Sequence, residues 1–63
     1  MKWYCVTSSV DNRGYITAAI TGSIESETRP KNTYEETRLR DIYKDWFPTR
    51  QEAEEFVEEA RGA

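Results

Sequence analysis

The sequence predicts a small α+β domain, a three-stranded antiparallel sheet (a β-hairpin plus a third strand) covered on one face by a C-terminal helix. Three observations predict it. Two segments rich in β-branched and aromatic residues flank a turn of defined chemistry, a third β-prone segment runs up to Pro48, and an amphipathic stretch follows a helix-capping motif.

The first strand is read over residues 2–10 and the second over 15–24, Tyr15-Ile-Thr-Ala-Ala-Ile-Thr-Gly-Ser-Ile24. Between them, Asp11-Asn12-Arg13-Gly14 puts a side-chain acceptor at the start of a type I turn and glycine where a left-handed residue closes a bulge. With Asp11 facing Tyr15, the expected pairs are Val10 with Ile16, Ser8 with Ala18, Val6 with Ile20 and Tyr4 with Gly22. One face then collects the aliphatics, and the other holds Trp3, Cys5, Thr7, Ser9, Tyr15, Thr17, Ala19 and Thr21.

Residues 25–33 are polar, contain Pro30 and lack periodicity, so they read as a mobile loop. β character returns near Tyr34, and Thr37 to Phe47 is the third strand. Its alternation is ambiguous: Leu39, Tyr43 and Phe47 share a face with Asp41 and Asp45, while Ile42 and Trp46 share the other with Arg38, Arg40 and Lys44. A bulge that switches faces midway would reconcile the two sets.

The helix is signalled by Thr49-Arg-Gln-Glu52, a capping box in which hydroxyl and carboxylate reciprocally satisfy backbone donors. Ala53, Phe56, Val57 and Ala60 fall at i, i+3, i+4 and i+7, a narrow apolar stripe for the aliphatic sheet face. Gly62 is expected to end the helix as a left-handed cap.

Sixty-three residues make one domain, residues 1–63, and at this size only about 60% of the unfolded surface can be buried. Packing alone then supplies roughly 3 to 5 kcal/mol of net stability, so a partner, including a second copy of the chain, is an expected source of more. Cys5 is a lone cysteine and there is no histidine, which excludes a disulfide and leaves no zinc spacing. No cofactor is expected. The lone thiol and the absence of an apolar leader point to the cytoplasm, and no segment approaches the roughly 20 apolar residues of a membrane span.

Catalysis has little to draw on without histidine, so no catalytic residue is assigned and an enzyme is not expected. Asp41 and Asp45 are more naturally sheet-margin charges paired with Arg38, Arg40 or Lys44, and Cys5 has no visible base. Two surfaces remain as binding candidates. Glu54, Glu55, Glu58 and Glu59 put like charges at i, i+4 twice, an acidic strip that either keeps the domain soluble or meets a basic partner protein. On the uncovered sheet face, either Trp3 and Trp46 fold over the sheet and partly complete the small core, or Trp3 and Tyr15 are available for protein contact, with Arg38, Arg40 and Lys44 as cations suited to nucleic acid if the third strand presents that side.

The run Trp46-Phe47-Pro48-Thr49-Arg50-Gln51-Glu52-Ala53, in strand-strand-strand-helix order, resembles the small arm-type DNA-binding domains at the N-termini of tyrosine integrases. The resemblance covers mainly the last third of the chain. It implies nucleic-acid contact by the exposed sheet face, through Arg38, Arg40 and Lys44, although the net charge of −3 is opposite to that family's basic balance. In size and charge the chain is also similar to accessory proteins of phages and mobile elements, many of which bind and inhibit a host protein. The function expected is therefore a non-enzymatic protein-interaction domain, with a nucleic-acid-binding module as the alternative.

Overall fold

Turn chemistry sets the first hairpin. In this computed structural model, which describes residues 1–62, the Asp11 carboxylate accepts the backbone N–H groups of Arg13 at 2.9 Å and Tyr15 at 3.0 Å. Gly14 closes the loop at φ +86°, a conformation that a side chain would strain. The hairpin joins β1 (Lys2–Asp11) to β2 (Ile16–Glu25). Val10 pairs with Ile16, Ser8 with Ala18 and Val6 with Ile20, as the turn dictates.

Beyond that point the register departs from expectation. A bulge opposite the Cys5–Val6 step leaves Thr21 as the extra residue, so Cys5 faces Gly22 and Tyr4 faces Ser23 rather than Gly22.

The sheet has four strands, not three. Residues Thr33–Glu36 form a short strand, β3, and Arg40–Phe47 form β4. Thr37, Arg38 and Leu39, expected within one strand, form the turn between them. The Thr37 hydroxyl builds that turn by accepting from the Arg40 N–H at 3.1 Å and donating to the Arg40 carbonyl at 2.9 Å. The strand order is β2-β1-β4-β3, all antiparallel, so two hairpins lie side by side with β1 and β4 at the centre.

This order forces residues 26–32 to cross the end of β1 and β4 on the way from one sheet edge to the other. The crossing is tied down rather than loose. The Trp3 indole N–H donates to the Ser26 carbonyl at 3.1 Å, Arg29 donates to the Trp46 carbonyl at 2.8 Å, and the Trp46 N–H donates to the Asn32 side chain at 3.2 Å.

Helix α1 (Arg50–Gly62) begins at the Thr49 cap, whose hydroxyl accepts the Glu52 N–H at 3.1 Å. Only this half of the capping box is formed: the Glu52 carboxylate makes no return bond to Thr49. Gly62 lies within the helix and, unlike Gly14, is not left-handed, which corrects the expected cap.

The helix lays its stripe on the aliphatic face. Val6, Ala18 and Ala53 are the buried centre, with Tyr4, Ile20, Phe47, Phe56, Val57 and Ala60 packed around them. It packs chiefly over β2 and β1, reaches β4 through Phe56 on Phe47 at 5.1 Å between ring centres, and does not touch β3.

Candidate functional site

Strand β4 pairs with β1 without interruption from Arg40 to Phe47, so it never switches faces. The expected bulge is absent from this strand and sits in β2 instead. Directly paired residues share a face. Val10, Ser8, Val6 and Tyr4 therefore place Asp41, Tyr43, Asp45 and Phe47 on the helix side, and β3 adds Tyr34 and Glu36 beside Tyr43 and Asp41. Arg40, Ile42, Lys44 and Trp46 lie on the opposite face with Asp11, Ser9, Thr7 and Cys5.

Because α1 sits over β1 and β2, the helix-side surface of β4 and β3 is a bare shelf. Two tyrosines occupy it. The rings of Tyr34 and Tyr43 lie 4.9 Å apart, tilted by 40°, and remain 55% and 38% exposed. The Tyr34 hydroxyl donates to the Asp41 carboxylate at 3.2 Å. Local shielding of that hydroxyl, then the negative charges of Asp41 and Glu36, raise the Tyr34 phenol above its ordinary value near 10.

The sheet residues around the tyrosines are acidic. Glu36, Asp41 and Asp45 come from the sheet. On the helix, Phe56 faces β4, so Glu52 and Glu59, four residues before it and three after, lie on the β4 side of the helix. Glu36 and Asp41 stand directly opposite one another, a like-charge pairing that weakens the sheet. No cation answers these groups: the two ion pairs among the described residues are Met1 amino to Glu25 at 2.8 Å and Arg50 to Glu54 at 3.1 Å.

The four helix glutamates expected as an acidic strip are all exposed. Glu54 and Glu58 flank the β2 side with Val57 and Arg61, Glu59 lies on the β4 side, and Glu55 accepts from the Gln51 amide. Asp41 and Asp45 share one face, as their spacing indicated, without partners among Arg38, Arg40 and Lys44.

On the opposite face Trp3 follows the reading in which it folds into the small core. Trp3 and Cys5 are buried there, 9% and 5% exposed, beneath the end where residues 26–32 cross. Trp3 thus leaves little surface for a partner, and its indole is committed to Ser26. Tyr15 is 67% exposed beside the first turn. Arg40 and Lys44 project from β4 amid the hydroxyls of Thr7, Ser9, Thr17 and Thr21, which bond in pairs, Thr7 to Thr21 at 2.8 Å and Ser9 to Thr17 at 2.7 Å. Arg38 is in the β3–β4 turn, exposed.

Among the described residues no group of carboxylates, cysteine or histidine is arranged to hold a metal ion, and no helix is long and apolar enough to cross a membrane. No protein-family model matches the chain, and neither a curated protein nor a solved structure matches it.

Proposed function

We propose that this is a non-enzymatic protein-interaction domain whose binding surface is the shelf beside the helix, and that its partner presents an arginine-rich protein segment. The single observation that carries this reading is the exposed Tyr34–Tyr43 pair with Glu36, Asp41 and Asp45 on the same face of the sheet. Tyrosine is enriched at interface hot spots because it brings large area at little entropy cost. Guanidinium groups stack on tyrosine faces and bond carboxylates bidentately, so one residue type satisfies both components of the shelf. A role as an accessory or inhibitor protein, of the kind phages and mobile elements encode, is compatible with so small a domain.

A second reading has its own observation. Arg40 and Lys44 share the face opposite the helix and form no ion pair, although Asp11 pairs with Arg40 across the strands, and a flat sheet bearing cations and hydroxyls suits nucleic-acid contact. The run Trp46–Ala53 that resembles integrase arm-type domains points the same way, while the fourth strand departs from the three-strand order on which that resemblance is read.

One experiment separates the two. The isotope-labelled domain is titrated, by NMR, with a short arginine-rich peptide and separately with a short DNA duplex. Shifts clustered at Tyr34, Asp41, Tyr43 and Asp45 with the peptide, lost in Tyr34→Ala/Tyr43→Ala, support the lead reading. Peptide shifts spread evenly over Glu54, Glu55 and Glu58 would sink it, and duplex shifts at Arg40 and Lys44 that weaken steeply with salt would install the second.

A further inference from the structure

The two edges of the sheet are guarded very differently. β3 is four residues long and carries Glu35 and Glu36, the kind of short, charged edge that resists pairing. β2 is ten residues long, and from Ile16 to Ile24 it has no charge and no proline. Ile16 and Ile24 are exposed along it, at 48% and 44%. Such an edge is a template for another strand.

The geometry selects which strand. The Asp11 N–H bonds the Tyr15 carbonyl at 3.0 Å, making Asp11 and Tyr15 a hydrogen-bonded pair. Alternation along an antiparallel ladder then turns the backbone groups of Ile16, Ala18 and Ile20 outward, until the bulge at Thr21 ends the series. These three positions are self-complementary. With a second β2 running antiparallel about a twofold axis at Ala18, Ala18 meets its own copy, Ile16 meets Ile20 and Thr17 meets Ala19. Every side chain stays on its own face, and about six backbone hydrogen bonds form.

We propose that β2 pairs in this register with β2 of a second copy of the chain, joining two sheets into one. The helix supports that occupant over others. It lies above β1 and β2, so with strands about 4.8 Å apart its axis would stand roughly 10 Å from the copy's, the separation at which helices pack. The twofold sets the helices antiparallel, so Arg61 of one approaches Glu54 of the other, while Val57 and Ile20, half-buried beside that cleft, close against their counterparts. The edge is remote from the shelf, so this inference does not rest on the proposed function.

The test is sedimentation equilibrium on the whole chain up to about 0.1 mM, with two variants, Thr17→Lys/Ala19→Lys and Thr17→Glu/Ala19→Glu. Both positions are exposed on the face away from the helix, so each variant is expected to keep the native circular dichroism of a folded monomer. The native chain is expected to dimerise, each variant alone to associate at least about tenfold more weakly, and an equimolar mixture of the two to recover a dimer. A native chain that stays monomeric, variants that dimerise as the native chain does, or a mixture without recovery would each overturn the proposal.

Discussion

Val6 is fully buried, at 0% exposure, and it is the largest side chain so enclosed, held between Ala18, Ala53 and the aromatic rings around them. Val6→Ala removes two methyl-sized groups, worth about 1.6 kcal/mol in transfer free energy. A cavity of roughly 50 Å³, left by incomplete collapse, adds about 1 kcal/mol more. The expected loss is therefore about 2 to 3 kcal/mol, a large part of the roughly 3 to 5 kcal/mol that a core this size supplies. Unfolding entropy scales with length at about 2.1 cal/mol/K per residue, or roughly 130 cal/mol/K for 63 residues, so the melting temperature should fall by about 15 to 23 °C. The assay is thermal unfolding followed by circular dichroism at one fixed protein concentration, since association would shift the midpoint. Ile24→Ala, at a 44% exposed position, is the control and should cost less than about 1 kcal/mol. A fall of less than about 5 °C for Val6→Ala, or one no larger than the control's, would refute the placement of the core under the first half of the helix.

Three further outcomes are expected. Thr49→Ala removes the acceptor for the Glu52 N–H and should cost about 1 kcal/mol, read as a lower urea midpoint with an unchanged slope. Tyr34, with its phenol raised by local shielding and by Asp41 and Glu36, should ionise above the ordinary value near 10, read by its ring resonances in an NMR titration. Its contribution to stability is complete below pH 10 and is lost as pH rises through the folded value, and Asp41→Asn should lower that value toward the ordinary one. Arg29→Ala/Asn32→Ala unties the crossing segment from Trp46, so tryptophan fluorescence should shift to the red and quench more readily as Trp3 becomes wetter, while the far-ultraviolet spectrum of the sheet persists.

Local chemistry was legible in the sequence and long-range placement was not. Asp11 and Gly14 specify the first turn by themselves, and Thr49 specifies the helix start, because each acts on backbone groups within four residues. The β3–β4 turn escaped because Thr37-Arg38-Leu39-Arg40 contains none of the usual turn formers; one hydroxyl builds it, and without that turn β3 merged into a single long strand. Gly22 was the available hint of a bulge in β2. The face presented by β4 depends on its partner, since alternation within Arg40–Phe47 fits either choice until Val6 stands opposite Asp45. The shelf was invisible for the same reason: Tyr34 and Tyr43 become neighbours only through strand pairing. Trp3 could be read as core or as surface, because nothing local announces that residues 26–32 will cross over its end of the sheet.

The adjacency of β1 and β4 has a consequence for how the molecule comes into being. The seam at the middle of the sheet joins residues separated by most of the chain, Tyr4 to Phe47 and Val6 to Asp45, whereas each flanking hairpin closes a short loop. Loop closure costs more entropy the longer the loop, so the two hairpins are expected to form early and independently, and their docking to set the folding rate. During synthesis the first hairpin must wait on the ribosome until Phe47 has emerged. Through that interval β1 has an open inner edge, the Val6 face is uncovered, and the nascent chain is at its most vulnerable to pairing with the wrong strand.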